Sequence, residues 1–267
     1  IPEDTEITLQ EEELDSHRWA EPDEILGYVG DRMGRMILSG LEQLETEVHA
    51  QHAAVRAKVL GVARMLVTMK ALTQGARAIA YSCAHAVDKS HHLQGDQARF
   101  WADRSSLLTP IAKSFGTDAG VDVASMGVQV HGGMGFIEET GAARLLRDAR
   151  IAQIYEGTNG IQALDLVGRK MPQGYGRLLR RFFHPVQQFI EQNQGNEALA
   201  EFVFPLAKAV MKLQQSTAMI AQRGSKNPDE AGAASVDYLR QFALVALAYM
   251  WCLMAKAAFE NQERESA

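Results

Sequence analysis

One stretch limits the fold before anything else does. From about residue 53, Val55, Val59, Val62, Leu66, Met69, Thr73, Ala76, Ala80, Cys83 and Val87 follow one another at alternating spacings of four and three. Met65, Leu72, Ile79 and Ala86 widen the same stripe. That interval marks one face of an α-helix; a strand, with its period of two, cannot sort these side chains to one side. The reading is a single helix of about 35 residues, roughly 50 Å long. So long an apolar face needs partners of similar length, which points to an antiparallel bundle.

The rest of the chain follows the same rule. His91, His92 and "QGDQ" read as a turn. Thr109-Pro110 then reads as an N-cap and a first-turn proline. Ile111, Phe115, Ala119 and Met126 follow on a core-facing side. Gly116 and Gly120 interrupt that helix at roughly 1 kcal/mol each relative to alanine, which predicts close packing against another backbone. "HGGMGF", residues 131–136, reads as a loop. Thr140 is expected to cap a short helix, "GAARLLRDAR". Thr158 or Asn159 caps the next, with Ile161, Leu164 and Val167 sharing a face. "MPQGYG" is a break. Helices are expected over 177–193, 196–222 and 230–260, divided by "NQGN" and "RGSKNPDE". The fold class is therefore all-α: an unassigned segment over 1–50, a bundle over 51–172 and a helical extension over 173–267.

Composition narrows the function. The net charge is −6 with both signs dispersed, whereas nucleic-acid partners ask for a concentrated basic patch. The longest uncharged run, "QFALVALAYMWCLMA", is shorter than the roughly 20 residues a membrane span needs and is bracketed by Arg240 and Lys256. It reads as a core helix. Cys83 and Cys252 share no metal spacing and read as reduced, buried thiols in a cytoplasmic, reducing setting. No secretory signal is recognised at the start.

The residues with chemical potential cluster in two places. In "RDARIAQIYEGTNGIQ" a lone carboxylate, Glu156, stands between an apolar run and a helix start. In an apolar site desolvation would raise its pKa and make it a base. Gly157 would let a ligand approach the backbone. Thr158 and Asn159 open a helix whose N–H groups suit a developing negative charge. A solvated loop glutamate beside a cap explains the same residues. "QVHGGMGF" offers Gln129, Val130, His131, Gly132 and Gly133, a glycine turn able to lie against a phosphate or ring system, or simply to join two helices. His131 itself reads as a hydrogen-bonded structural residue. His49 and His52, near Glu45, have helical metal spacing but read as a solvated face. Arg144, Arg147 and Arg150 read as a salt-bridged surface or an interface.

Residues 127–171, "GVQVHGGMGFIEETGAARLLRDARIAQIYEGTNGIQALDLVGRKM", resemble the C-terminal domain of acyl-CoA dehydrogenases, long-tailed subgroup. The Gln-x-x-Gly-Gly-x-Gly-Phe turn, the "RLLRDA" helix and "IYEGT" occur in family order. The resemblance implies an FAD flavoenzyme that converts an acyl-CoA thioester to a trans-2-enoyl-CoA. It implies Glu156 as the base and Gly157 as a substrate contact. It implies Gln129, Val130, His131, Gly132, Gly133, Thr158 and Asn159 as flavin contacts, the glycine turn reaching the flavin of a neighbouring subunit. It also implies a homo-oligomer or a completing partner chain, with electron-transfer flavoprotein as the acceptor. The family's N-terminal helical domain and middle β-barrel are not recognisable here. Two other readings remain at this point: a non-catalytic helical assembly module, and a hydrolase remnant, because "RW…PDEI" in the opening segment faintly resembles a Nudix tail.

Overall fold

The computed structural model describes the backbone of residues 49–265 and the side chains of residues 58–261. The Nudix-like opening and the side chains of Glu45, His49 and His52 lie outside the described residues. The chain divides into two compact units, Ile1–Met69 and Lys70–Ala267. Helix α1, His49–His92, runs from one into the other. In the first unit Thr68 Oγ1 donates to the Arg64 carbonyl at 2.7 Å.

The second unit continues α1 and adds α2 (Gly95–Val130), the one-turn α3 (Gly133–Phe136), a 3-10 turn (Glu138–Thr140) and α4 (Ala142–Ile151). Then come α5 (Asn159–Asp165), which ends in a π-turn (Leu166–Lys170), α6 (Arg177–Asn193), a 3-10 turn (Glu197–Leu199), α7 (Ala200–Gly224) and α8 (Pro228–Glu265). No strand occurs among the described residues, so the all-α expectation stands.

One apolar core threads this unit. Ile79 comes from α1, Leu107 and Ile111 from α2, Leu178 and Val186 from α6, Leu206 and Leu213 from α7, and Tyr238 and Phe242 from α8. Phe182 and Phe242 meet with ring centroids 4.8 Å apart. By length and composition α8 passes for a membrane span. Here Tyr238, Leu239, Phe242, Ala243, Val245, Ala246 and Tyr249 are buried in protein, as a core helix requires. Cys252 is buried and Cys83 half-buried, and both are free thiols. Burial pushes the Cys252 thiol up to about 11.

Several local signals lose to this packing. Thr109-Pro110 does not begin a helix. Pro110 is buried inside α2, and Thr109 Oγ1 donates back to the Ser105 carbonyl at 2.8 Å. Leu107 and Leu108 before the proline and Ile111 after it are all buried; that continuous face offsets an interior proline's cost of about 3 kcal/mol. "QGDQ" likewise opens α2 instead of forming a turn. In α1 the inner line is Ile79 and Ala86, with Leu72 packed on the core, whereas Ala80 and Val87 are exposed. In α5 the buried residue is Ala163, with Leu166 and Val167 buried in the π-turn that follows; Ile161 and Leu164 are exposed. A Cβ added to Gly116 or Gly120 would meet nothing within 4 Å, so the expected backbone packing there is not made within the described residues. Gly75 of α1, by contrast, is crowded against Leu247 of α8.

A buried carboxylate ties α2 to α6. Arg177 donates to both oxygens of Asp103, at 2.7 and 3.0 Å, and the neighbouring Arg104 donates to the Arg181 carbonyl at 2.9 Å. Two parallel bonds of this kind fix orientation as well as separation.

Candidate functional site

Helix α2 carries both candidate elements. At its C-terminal end Gly132 adopts φ 62°, a left-handed conformation that suits glycine. The His131 ring lies 2.8 Å from the Gly127 carbonyl through Nδ1, so that imidazole is held locally, as a structural histidine. Gly135 is packed: a Cβ there would sit 2.2 Å from the Val128 carbonyl oxygen. Gly132 and Gly133 are bare: a Cβ on either would meet nothing within 4 Å. The supposed loop thus has two parts, a turn at 131–132 and a helical turn over Gly133–Phe136. One glycine serves the fold, and two present open backbone.

The chain then turns into α4. Thr140 is not its cap; its hydroxyl donates to the Met134 carbonyl at 2.6 Å, and the N-cap is Gly141 at φ 76°. Arg147 pairs with Glu138 through bonds of 2.9 and 2.7 Å. Those bonds hold the Glu138 carboxyl below its ordinary range. Arg144 lies 3.6 Å from Asp148. The salt-bridged reading of the arginine face holds for these two.

After α4 comes the loop with Glu156. Asn159 N–H donates to the Gln153 carbonyl at 3.2 Å and closes the loop at its neck. Within it Glu156 has φ 53° and Gly157 φ 83°. A left-handed non-glycine residue costs about 1 kcal/mol and persists where its surroundings hold it. Thr158 is the N-cap of α5, accepting from Ile161 N–H at 3.3 Å.

The surroundings that hold the loop lie on α2, and the sequence reading missed them. Gln153 Nε2 donates to Asp118 Oδ1 at 2.6 Å, and Asn159 Nδ2 donates to the same oxygen at 2.7 Å. Lys113 Nζ donates to Asn159 Oδ1 at 2.9 Å. Thr117 Oγ1 lies 3.0 Å from Asn159 Nδ2. The Asn159 side chain therefore turns inward as a support for the loop. The available signal was Lys113, Ser114, Thr117 and Asp118, a polar seam at helical spacing beside the apolar Ile111, Phe115 and Ala119.

Of the two readings of Glu156, a solvated loop glutamate is the one seen within this chain: Glu156 is exposed, with Tyr155 and Ile154 exposed beside it, because the closed neck leaves residues 154–156 at the surface. The glycine turn and the Glu156 loop are anchored at different points on α2. Their anchor points on α2, Val130 and Asp118, are 12 residues apart, roughly 18 Å along the helix. In the loop and in the helices on either side of it in sequence, Leu145, Ile151, Ile154, Tyr155, Ile161 and Leu164 are exposed apolar side chains. Among the described residues no group of acidic, histidine or cysteine side chains is placed to hold a metal ion.

The described residues thus present a bare glycine turn and a carboxylate on a braced loop, both supported by α2. Comparison with known proteins gives the family. The sequence pattern for the acyl-CoA dehydrogenase C-terminal domain matches residues 41–171, and that for the acetyl-CoA dehydrogenase C-terminal-like domain matches residues 182–267. The chain belongs to the acyl-CoA dehydrogenase family as its C-terminal helical part. It is 37% identical over 234 residues to 3-methylmercaptopropionyl-CoA dehydrogenase of Ruegeria pomeroyi, an overlap of 87% of this chain and 38% of that protein. It is 29% identical over 205 residues to the broad-specificity linear acyl-CoA dehydrogenase FadE5 of Mycobacterium tuberculosis, covering 74% of this chain and 33% of the relative. The crystal structure of Caenorhabditis elegans ACDH-11 in complex with C11-CoA shares the fold, with a TM-score of 0.54 at 19% identity over 86% of this chain and 39% of that one. The chain thus spans well under half the length of these relatives.

Proposed function

We propose that this chain is the base-bearing part of an FAD-dependent acyl-CoA dehydrogenase that oxidises an acyl-CoA thioester to a trans-2-enoyl-CoA. The observation that carries the proposal is a carboxylate held left-handed on a braced loop, in the family's "YEGT" position. Glu156 accepts the proton from the carbon α to the thioester carbonyl. Gly157, left-handed at φ 83° with the Gln162 amide 2.8 Å from where a Cβ would stand, offers the thioester backbone only, and the Thr158 hydroxyl, whose oxygen caps α5, keeps its hydrogen for a ligand. The FAD fits the open backbone at Gly132 and Gly133, flanked by the exposed Gln129 and His131 and by Val130; when bound it supplies the acceptor for the hydride leaving the β carbon. Of the flavin positions the resemblance implies, Asn159 acts through its neighbours rather than by its side chain.

Glu156 works as a base only in a dry, low-dielectric site, which raises its affinity for the proton. In this proposal the exposed apolar set of the loop and its flanking helices is covered by the rest of the enzyme, and the glycine turn serves the flavin of a second copy. That arrangement matches the separation of the two elements along α2. A homo-oligomer, electron-transfer flavoprotein as acceptor, the division of the chain near residue 172 and a cytoplasmic location, consistent with two unpaired thiols, complete the proposal. The assembly-module reading draws on the same exposed apolar set.

The test is flavin reduction. The full-length protein carrying this chain, loaded with FAD, should lose its flavin absorbance when mixed with saturated acyl-CoA. Glu156→Gln should slow that step by about 10²- to 10⁴-fold, the range of a general base, while acyl-CoA still binds. Wild-type protein that oligomerises but neither holds flavin nor binds acyl-CoA would leave the assembly module as the function.

A further inference from the structure

We propose that Asp118 is the positioning residue for Glu156, acting through both feet of the loop at once. This rests on the reading of Glu156 as the base. The loop has seven residues from Gln153 to Asn159, and the side chains at its two ends converge on one atom, Asp118 Oδ1, at 2.6 and 2.7 Å. Amide donors on an ionised carboxylate make short, strong bonds. The backbone bond from Asn159 N–H to the Gln153 carbonyl closes the neck. Lys113 at 2.9 Å fixes the orientation of the Asn159 amide, oxygen toward the ammonium and nitrogen toward the carboxylate.

The other bonds to the loop, from the Ile154 and Tyr155 N–H groups to the Ile151 carbonyl at 2.9 and 3.2 Å and from Gln162 Nε2 to the Gly157 carbonyl at 3.4 Å, do not involve Glu156 itself. Residues 154–156 are exposed and bury no large side chain. The left-handed φ of Glu156 must therefore be set by closure of the loop ends. A base aimed at a carbon acid tolerates little displacement, since a shift of about 1 Å can cost 10²-fold in rate. Asp118 touches neither substrate nor flavin in this proposal. It converts the rigidity of α2 into the aim of Glu156.

The experiment uses the full-length flavoprotein with Asp118→Ala, Asp118→Asn and Gln153→Ala. Backbone hydrogen exchange over residues 153–160 should rise at least about tenfold in Asp118→Ala and less in Asp118→Asn, which keeps one acceptor oxygen. Exchange in the core segment 182–189 should stay unchanged. Flavin reduction by acyl-CoA should slow about 10- to 100-fold in Asp118→Ala at an unchanged Kd for acyl-CoA, a split that general loss of structure would not give. Gln153→Ala removes one foot only and should show the same pattern at several-fold, which keeps the proposal testable if Asp118→Ala fails to fold. Unchanged exchange over 153–160, or reduction slowed only through a weaker Kd, overturns the proposal. A wild type that holds FAD yet is never reduced by acyl-CoA overturns the dehydrogenase reading instead, and the exchange result still decides whether Asp118 braces the loop.

Discussion

At the scale of single residues, three neighbouring glycines illustrate how one residue type serves two ends. Gly132 and Gly133 face open space, whereas a side chain at Gly135 would strike the Val128 carbonyl and the His131 Cβ. The sequence "HGGMGF" shows no difference between them, because it does not reveal what lies opposite each Cα. Gly135→Ala should therefore destabilise the protein by about 1 to 3 kcal/mol, as overpacking against backbone does, with flavin affinity falling only in step. Gly133→Ala should leave the melting temperature within about 2 °C of wild type, a surface-sized effect, and weaken flavin retention in the full-length protein. Calorimetry and flavin titration on the two variants check the pair. The catalytic glutamate of the proposal was legible as a position, since "IYEGT" names it. Its exposure was not, because burial is set by what packs across the loop in space, not by the motif.

At the scale of elements, the chain reads well wherever a long apolar period persists and poorly wherever a two-residue signal competes with it. The long helices α1, α6, α7 and α8 fall where periodicity puts them. Thr109-Pro110 imitates a helix start, and the buried face running through it decides otherwise. The Thr140 cap fails because Thr140 ends the 3-10 turn and the left-handed Gly141 takes the N-cap position. How elements are joined is set by a few polar contacts, among them the buried Asp103 between α2 and α6. Its side chain is 8% exposed, against 26% for Arg177. Asp103→Ala would strand the Arg177 guanidinium and loosen α6 from α2. A loss of about 3 kcal/mol is expected, the low end for a broken buried pair because Arg177 still reaches water. Urea unfolding, followed by helical circular dichroism, measures it.

At the scale of the whole molecule, the core of the second unit is built by α2, α6, α7 and α8, and Tyr238 brings a buried hydroxyl into it. The phenol is 2% exposed and lies 2.7 Å from Thr217 Oγ1. Burial pushes its pKa up to about 12, with the Thr217 bond opposing. The folded value exceeds the unfolded one, near 10. Stability from this group is therefore complete below pH 10 and is lost as pH rises toward 12, by on the order of 2 kcal/mol. Tyr238→Phe should lower stability at pH 8 by about 1 kcal/mol, with Thr217 keeping its bond to the Leu213 carbonyl, and should flatten the alkaline decline. Denaturation midpoints of both proteins at pH 8, 10 and 11.5 separate this slope from that of other groups.

The amino-acid sequence by itself determined that this chain is helical, where its long helices lie and which short motifs resemble the family's, because periodicity and motif order are local properties written along one dimension. Only the tertiary structure decided that Asp118 braces both ends of the Glu156 loop, that one glycine of three is a packing residue, and that the Glu156 loop and the glycine turn are anchored at different points along α2. Those facts concern atoms distant in sequence and close in space: Gln153 and Asn159 meet Asp118 across 35 and 41 positions, and no local pattern encodes that meeting.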